Sequence, residues 1–493
     1  MSSNSPSLST QSIAVFVGQV SGFAVNFLTP VLLVRLISKA DYGVLQQFVL
    51  LGNTMLPILG LGLASSLYYF FPTSSGSQRS SYVFNTWLQM VISGSFFVLV
   101  FAFLGREILE LLGMEMLGDA GNIVAVYVLF LLSGTAIDFL FILEQRVKMS
   151  MIFNPMDKLL RLILLVSAAL FYGSVYYCML ALAVYAFFRF AFITYYVFAN
   201  YYSSSVWKSF SVNAQSQLTY SLPFAAGIIF TTLSQRIDKL LVNRYISEAE
   251  FASYSLAFFS IPLVSQAFTS INNVVIPQIT RFMANNEIKN AHNLYLQVVS
   301  KTTSLAFPAI TFFTLMAPEL ITMLFTSAYA DATPYYRIYL VMFLFTMTSY
   351  GIGLRAAKKT KLIMLSNFVG MSMTLAIGMY LIPKYALVGA IITALVGIAA
   401  PVLIQLHFER RLYQASFSSF LPWRMIAISF VVSAIATIPI LALKYLQLPN
   451  IVALVIAGLI YFPLVILVER RLGIFAFENQ LQKAVLALKQ RLF

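Results

Sequence analysis

Fourteen long apolar runs, separated by charged residues or by Gly/Pro and Ser/Asn clusters, constrain this chain more than any other feature of its sequence. A helix needs ~20 mostly apolar residues to cross the hydrocarbon of a bilayer, and each run is long enough. The runs lie near residues 12–34, 43–70, 82–104, 121–143, 157–177, 179–202, 217–242, 252–278, 299–324, 335–354, 362–382, 385–407, 423–445 and 449–468. They predict an all-α polytopic membrane protein with about fourteen transmembrane helices.

The composition excludes several other classes of protein. Hydrophobic residues make up 60% of the 493 residues and charged residues only 10%, which is too little polar surface for a large soluble domain or a nucleic-acid-binding protein. Cys178 is the single cysteine, so the chain cannot form an internal disulfide. The apolar runs do not alternate in ~10-residue units as in an outer-membrane barrel. His292 and His407 lie far apart in sequence and predict no metal site.

The lysines and arginines set the expected orientation. With the N-terminus inside, 21 of the 31 basic residues fall in cytoplasmic segments or in the span ends beside them, seven fall in or beside outer segments, and three lie deeper within spans. Cytoplasmic loops of membrane proteins carry an excess of Lys and Arg. The bias therefore predicts that both termini are cytoplasmic, and it attributes most of the net charge of +14 to topology.

A short motif occurs twice and predicts an internal duplication. Residues 32–42, at the end of span 1, and residues 240–251, at the end of span 7, share the pattern L-L-V…I-S-x-A-[DE]-[YF] with one inserted residue. Six spans separate the copies, so the two halves share an orientation and are related by a pseudo-twofold axis along the membrane normal. The predicted organisation is an N-terminal lobe over 1–208, a C-terminal lobe over 209–412, spans 13 and 14 over 413–470, and a cytoplasmic amphipathic helix over 471–493.

Polar side chains concentrate in spans 1, 2, 7 and 8, although such side chains are costly against lipid. They predict a central aqueous cleft lined by two homologous pairs of helices, with Asn26, Gln46, Thr232 and Asn272 as candidate substrate-binding residues. The alternative is ordinary hydrogen bonding between the helices of a packed bundle. For a single residue the bundle is the default interpretation, whereas the pattern over four helices favours the cleft.

The run Arg236-Ile237-Asp238-Lys239 near the end of span 7 is the sharpest polar feature. At about 100° per residue, Arg236 and Lys239 share a helical face with Thr232 and Asn243. Asp238 points about 200° away from Arg236. A cationic face in a cleft suits a phosphate-bearing or acidic substrate. The alternative is that Arg236, which lies ~24 Å along the span, simply extends to the outer interface.

Arg189 lies near the middle of span 6 and needs a countercharge. Asp138 on span 4 is the candidate partner, although an axial offset of roughly 9 Å, derived from helix rise, strains a direct contact. Asp138 is therefore either an ion-coupling carboxylate or half of a buried ion pair. Asp238 is a second candidate for ion coupling.

Four stretches of the sequence resemble a known family. They are residues 35–43, residues 222–241 from Leu222-Pro223 to Asp238-Lys239-Leu240-Leu241, residues 275–281 (Val-Ile-Pro-Gln-Ile-Thr-Arg), and residues 317–329, which begin Ala-Pro-Glu-Leu. Together they resemble the Wzx-type polysaccharide flippases, which move O-antigen and other lipid-linked oligosaccharides, of the multidrug, oligosaccharidyl-lipid and polysaccharide (MOP) exporter superfamily. The resemblance extends from span 1 to span 12.

This resemblance implies a bacterial inner-membrane transporter, not an enzyme. It would move a polyprenyl-pyrophosphate-linked oligosaccharide from the inner to the outer leaflet by alternating access, for surface polysaccharide assembly. Spans 1, 2, 7 and 8 would line a cationic cleft in which Arg236, Arg35 and Lys239 contact the pyrophosphate or an acidic sugar. The implied partners are the lipid-linked oligosaccharide, membrane lipids and other polysaccharide assembly proteins, with coupling to a H⁺ or Na⁺ gradient and no cofactor.

Two alternatives make different demands on the sequence. A drug/cation antiporter of the same superfamily binds cationic substrates and needs carboxylates, rather than arginines, in its cleft. A membrane glycosyltransferase or polymerase needs catalytic acidic residues in a sizeable outer loop, whereas the longest predicted outer loop, around residues 106–119, is short.

Overall fold

The computed structural model describes residues 22, 24–203, 206–207, 210–259 and 262–474. The first part of predicted span 1 and most of the amphipathic helix predicted over 471–493 lie outside the described residues.

Helices are the only regular secondary structure of the described residues, which contain no strand. Its helices are α1 (Ala24–Leu36), α2 (Lys39–Gly60), α3 (Leu63–Thr73), α4 (Gly76–Leu112), α5 (Gly121–Gly134), α6 (Ala136–Leu143), α7 (Val147–Tyr172), α8 (Val175–Tyr201), α9 (Phe210–Ser234), α10 (Ile237–Val242), α11 (Glu248–Ala257), α12 (Pro262–Ala284), α13 (Ile288–Leu315), α14 (Ala317–Phe325), α15 (Thr333–Thr346), α16 (Ile352–Ala356), α17 (Thr360–Leu412), α18 (Phe417–Phe420), α19 (Trp423–Ile435), α20 (Ile438–Lys444) and α21 (Asn450–Arg471). Short 3₁₀-helices cover Glu115–Ala120 and Ser327–Ala332.

These helices confirm the predicted all-α polytopic class. From the second span onward, every predicted span coincides with one helix or with consecutive helices. Eight helical segments of the described chain are long and apolar enough to cross a membrane. Helices suit this environment because they satisfy their backbone hydrogen bonds within the segment. The protein is therefore a multi-pass membrane protein.

Some predicted spans are interrupted rather than continuous. Span 7 breaks at residues 235–236 and span 10 breaks at residues 347–351. Thr135, between α5 and α6, keeps helical angles (φ −67°, ψ −23°), so span 4 continues over Gly121–Leu143. α17 bends at Ala386 (φ 44°), close to the loop predicted between spans 11 and 12. An interruption leaves backbone N–H and C=O groups without helical partners, and inside a membrane these groups need partners from side chains or a cavity.

The chain forms two compact units. Unit 1 consists of residues 1–255 and 375–390, and unit 2 consists of residues 256–374 and 391–493. The predicted lobe boundaries at residues 208 and 412 stay a prediction.

In unit 1, α5 packs against α4 and α8, and α7 packs on α8. Large apolar side chains from these helices and from α3 and α6 form the core: Leu67, Phe84, Leu132, Phe141 and Val197 are all buried. The packing holds α8, which carries Arg189, against the helices of span 4.

In unit 2, α13 is the central helix and packs against α12, α15 and α19. One buried cluster surrounds Tyr295 and Val299 of α13, and a second joins Phe312 of α13 to Tyr461 and Val465 of α21. Predicted spans 13 and 14 are thus anchored on span 9.

The repeated motif forms a helix cap in both copies. Ser38 precedes α2, and its hydroxyl accepts a hydrogen bond from the Asp41 N–H at 3.0 Å. Ser247 precedes α11 and accepts from the Glu250 N–H at 3.3 Å, while Glu250 accepts from the Ser247 N–H at 2.9 Å. A serine followed three residues later by an acid satisfies free N–H groups at a helix start. Capping chemistry therefore explains the polar part of the repeat, and the duplication itself stays a prediction.

Candidate functional site

The interruption of span 7 places Arg236 at a junction between two helices of unit 1. α9 ends at Ser234 and α10 begins at Ile237, and Arg236 itself has non-helical angles (φ −132°, ψ −10°). Its guanidinium Nη1 donates to Thr54 Oγ1 on α2 at 3.4 Å. Arg236 is half-buried and its guanidinium lies against α2.

A second contact links the same two elements. Gln47 on α2 donates from Nε2 to Asn243 Oδ1 at 3.2 Å, and Asn243 donates to the Lys239 carbonyl at 2.5 Å. Gln47 and Thr54 lie seven residues apart and share one face of α2, and their partners Asn243 and Arg236 are also seven residues apart. The two elements therefore run antiparallel with their polar faces in contact.

The charge of Arg236 is not balanced within the described residues. Its only hydrogen bond there goes to a hydroxyl, and no carboxylate lies within salt-bridge distance. Unpaired charges are costly to bury, so such a group either keeps access to water or pairs with an anionic ligand. Lys239, one helical turn further on, is half-buried and adds a second positive charge to this part of unit 1.

Asp238 is the one carboxylate in this segment, and it is fully enclosed. Its exposed fraction is 1%, and its Oδ2 accepts a hydrogen bond from the Tyr254 hydroxyl on α11 at 2.6 Å. The other oxygen, Oδ1, has no partner among the described atoms. The helical-wheel estimate of 200° between Asp238 and Arg236 assumed a continuous helix. The break at residues 235–236 removes that assumption, because Arg236 lies outside both helices.

The other predicted substrate-binding residues are placed as follows. Arg35 is exposed in the last turn of α1 and donates to the Val31 carbonyl, and Asn26 is exposed on the same helix. Gln46 and Thr232 are half-buried. Asn272 of unit 2 is half-buried, and its Oδ1 is buried without a partner among the described atoms. Within unit 1, the structure therefore brings Arg236 and Lys239 together with Thr54, Gln47 and Asn243. The last three are absent from the predicted set, although the seven-residue spacing of Gln47 and Thr54 was a usable signal.

Arg189 is the centre of a second charged cluster in unit 1. Its guanidinium reaches Asp138 Oδ2 at 2.5 Å and Asp157 Oδ2 at 3.0 Å, and its Nε donates to the Gly134 carbonyl at 3.2 Å. The Tyr185 hydroxyl donates to Asp157 Oδ1 at 2.8 Å. Burial without such partners would strongly disfavour the arginine.

The expected strain in the Arg189–Asp138 contact was wrong. The offset of roughly 9 Å counts helix rise alone, and the long arginine side chain reaches Asp138 directly. Asp157, the second partner, was missed by sequence reasoning because it lies at the predicted start of span 5. In the structure α7 begins at Val147, so Asp157 lies well inside the helix.

The two carboxylates of this cluster differ in access. The Asp157 side chain is 4% exposed and also contacts Lys158 Nζ at 3.1 Å, while the Asp138 side chain is 42% exposed. Asp157 is therefore the enclosed countercharge, and Asp138 is the carboxylate at the surface of the helix bundle. Its role in ion coupling stays a prediction.

Comparisons with known proteins agree with this architecture. A family model described as "Polysaccharide biosynthesis protein" matches residues 32–334, more than half of the chain. No curated protein sequence matches the chain. The lipid II flippase MurJ in an inward closed conformation is similar over 94% of this chain and 99% of its own, with 14% identity and a TM-score of 0.69.

An inward-facing multidrug resistance MATE family transporter of the MOP superfamily is similar over 82% of this chain and 94% of its own, with 13% identity and a TM-score of 0.54. At such identities these two likenesses establish a shared fold. The family match confirms the resemblance to proteins of polysaccharide biosynthesis that the sequence motifs indicated.

Proposed function

The chain belongs to the polysaccharide biosynthesis protein family, and we propose that within this family it flips a lipid-linked oligosaccharide from the inner to the outer leaflet of the bacterial inner membrane. The substrate is a polyprenyl-pyrophosphate-linked oligosaccharide, and the transport cycle is alternating access between the two sides. Both termini are cytoplasmic in this proposal. Other proteins of surface polysaccharide assembly would supply the substrate and take up the product.

The observation that carries the proposal is the unbalanced cation at the interruption of span 7. Arg236 is half-buried, is oriented by the Thr54 hydroxyl and meets no carboxylate among the described residues. A guanidinium binds phosphate oxygens through two parallel hydrogen bonds, which suits a pyrophosphate. A drug/cation antiporter would instead need a carboxylate at this position, since an arginine repels a cationic substrate.

The remaining roles follow from charge and polarity. Lys239 and Arg35 are proposed as further contacts to the pyrophosphate or to acidic sugars. Asn26, Gln46, Thr232 and Asn272 are proposed as hydrogen-bonding partners of sugar hydroxyls, because amides and hydroxyls both donate and accept. A pyrophosphate is costly to move through hydrocarbon, and cationic partners lower that cost along the path.

Energy for transport is proposed to come from a H⁺ or Na⁺ gradient, with no cofactor. Asp138 with Arg189, and separately Asp238, are the candidate coupling groups in unit 1. Asp138 is the more accessible of these carboxylates, since Asp238 is 1% exposed.

The test is an export assay in a strain that lacks the gene and is complemented with variants. Arg236→Ala is expected to reach the membrane at normal levels but to lose surface glycan, while lipid-linked repeat units accumulate and are identified by mass analysis. Arg106→Ala is the matched control, because Arg106 is 89% exposed and pairs only with Glu110 on its own helix. Wild-type surface glycan in the Arg236→Ala strain would overturn the role of Arg236. Normal glycan in the deletion strain, together with a changed sensitivity to cationic drugs, would favour the antiporter.

A further inference from the structure

Predicted span 10 is interrupted within unit 2 by a short non-helical segment. α15 ends at Thr346 and α16 begins at Ile352, and between them Ser349 (φ 49°) and Gly351 (φ 79°) have left-handed backbone angles. A positive φ is unfavourable for a residue with a Cβ, so the surroundings must hold Ser349 in place. Interrupted helices within a membrane are tolerated where they line a polar site.

Buried side chains take the place of the missing helical hydrogen bonds. The Tyr295 hydroxyl on α13 donates to the Thr348 carbonyl at 2.9 Å. The Gly353 N–H, at the start of α16, donates to Glu409 Oε1 on α17 at 2.6 Å. A carboxylate from a distant part of the sequence therefore caps α16, and no side chain of the segment itself performs this function.

Glu409 is fully buried, with an exposed fraction of 0%. Its Oε1 is bound to Gly353, while Oε2 has no hydrogen-bond partner among the described atoms, and no lysine or arginine lies within salt-bridge distance there. The titratable groups that act on it are Arg355 from α16, Tyr295 from α13 and Tyr413, which follows α17. Backbone N–H groups of residues 351, 353 and 354 and the charge of Arg355 therefore act on the carboxylate, but no salt bridge within the described residues balances it.

Two more buried oxygens beside Glu409 also lack partners. They are Gln405 Oε1, one helical turn before Glu409 on α17, and the Tyr413 hydroxyl, one turn after it. The amide nitrogen of Gln405 donates to Asn367 Oδ1 at 3.3 Å, so that donor is already used. Three unpartnered oxygens thus follow one face of α17 up to Tyr413, the residue just after its end.

Glycines allow the interrupted backbone to approach this face. A Cβ placed on Gly351 would lie 2.6 Å from Gln405 Oε1. A Cβ on Gly353 would lie 2.6 Å from the Tyr413 hydroxyl and 3.1 Å from Glu409 Oε1. Any larger residue would displace these oxygens, so the two glycines keep the polar face and the α16 cap in contact.

We propose that Glu409, with Gln405 and Tyr413, is a proton-binding site that controls the cap of α16. A proton taken up from the aqueous side forms an O–H bond at Glu409 Oε2, and this hydroxyl donates to Gln405 Oε1, so one proton pairs two unpartnered acceptors. No other bond breaks. The ionised form is favoured by the Gly353 N–H and by Arg355, and the neutral form is favoured by complete burial and by Gln405.

Protonation has a mechanical consequence for span 10. A hydrogen bond from an N–H to an ionised carboxylate is roughly twice as strong as one to a neutral group. Uptake of a proton therefore weakens the link between α17 and the start of α16 and loosens the interruption. This consequence rests on the proposed transport function, in which loosening of span 10 couples a proton gradient to the transport cycle.

The binding step is tested by infrared spectroscopy of the purified full-length protein in lipid vesicles over a range of pH. Each protonated buried carboxyl has its own C=O stretching band, and Glu409→Gln is expected to remove one titrating component of the wild-type spectrum. Glu469→Gln is the matched control: Glu469 is also buried (1% exposed) but lies on α21 beside Ser429, so its variant is expected to remove a different component and to leave that of Glu409. A titrating band that is identical in wild type and Glu409→Gln would overturn the proposal.

A second variant guards against misfolding of Glu409→Gln. Gln405→Met keeps the volume but removes the acceptor of the neutral carboxyl, so the band is expected to appear at a pH about one unit lower, a tenfold loss of proton affinity. An unchanged midpoint in Gln405→Met would contradict the proposed Glu409–Gln405 hydrogen bond.

Glycan export distinguishes this site from the proposed function. Glu409→Gln is expected to reduce export at least tenfold at wild-type protein levels, because glutamine cannot take up and release a proton. If Glu409 only capped α16, the neutral amide could replace it and export would stay normal. If Glu409 titrates but the deletion strain makes normal surface glycan, the proton site is supported and the flippase function is overturned. If Arg236→Ala abolishes export but Glu409→Gln changes neither the infrared band nor export, the flippase function is supported and the proton site is overturned.

Discussion

Gly43 lies directly against the backbone carbonyl of Glu248: a Cβ placed on Gly43 would come within 1.9 Å of that oxygen. Gly43 directly follows the first copy of the repeated motif, and Glu248 lies within the second copy. The starts of α2 and α11 therefore meet inside unit 1, each capped by its own serine, and only a residue without a side chain fits at the contact.

Gly43→Ala is expected to destabilise the protein by about 1–3 kcal/mol, because the new methyl group meets backbone that cannot rotate away. Thermal unfolding of the purified protein measures the effect. Gly227→Ala is the control, since Gly227 is also helical in unit 1 and a Cβ there meets nothing within 4 Å. Equal unfolding temperatures for the two variants would show that the contact is not close.

The Thr54 hydroxyl is expected to position Arg236 for the substrate. Thr54→Val keeps the shape but removes the acceptor for the guanidinium, and a typical hydrogen bond of about 1 kcal/mol predicts a roughly fivefold loss of export. Thr73→Val is the matched control. The hydroxyls of Thr54 and Thr73 each donate to the carbonyl four residues earlier, but Thr73 is exposed on α3. A fivefold loss in both variants would attribute the effect to the helix rather than to Arg236.

The sequence predicts the spans well because apolar length is a local property that each segment carries by itself. It does not predict the interruptions at residues 235–236 and 347–351, since these depend on distant partners: Thr54 for Arg236 and Glu409 for Gly353. Thr54 lies 182 residues from Arg236 and Glu409 lies 56 residues from Gly353. Hydrophobic periodicity carries no information over such separations.

The charged clusters show the same limit. Asp138 was identified as the partner of Arg189 because both are isolated charges within apolar runs, whereas Asp157 resembled an ordinary residue at the edge of a loop. Its importance depends on α7 starting at Val147, ten residues before the predicted boundary, and boundaries are set by tertiary packing as well as by hydropathy.

Asp157→Asn is expected to cost about 3 kcal/mol of stability, because it leaves Arg189 with one carboxylate and replaces one of the two oxygens shared by Arg189 and Tyr185 with an amide donor. Asp138→Asn is expected to cost only about 1 kcal/mol, since Asp138 is 42% exposed and water replaces part of its interaction. Denaturant unfolding of both variants measures the difference. Equal losses would mean that Asp138 is buried in the folded protein, and a loss of ion dependence confined to Asp138→Asn would support its coupling role.

Lys444 joins α20 to α13 and α14 within unit 2. Its Nζ contacts Glu319 at 3.0 Å and donates to the Leu315 carbonyl at 2.7 Å, and both charged side chains are mostly shielded from solvent. The pair therefore holds the predicted span 13 against the end of span 9, where Phe312 already packs on α21.

A double-mutant cycle of Lys444→Met and Glu319→Gln separates the ion pair from the other contacts of each residue. We expect a coupling free energy of about 1 kcal/mol, at the upper end for exposed pairs, because the two side chains are only partly accessible. Lys444→Met alone is expected to cost more, since the Leu315 carbonyl also loses its donor. A coupling free energy near zero would mean that the hydrogen bond from Lys444 to the Leu315 carbonyl, rather than the ion pair, stabilises the packing of span 13 in unit 2.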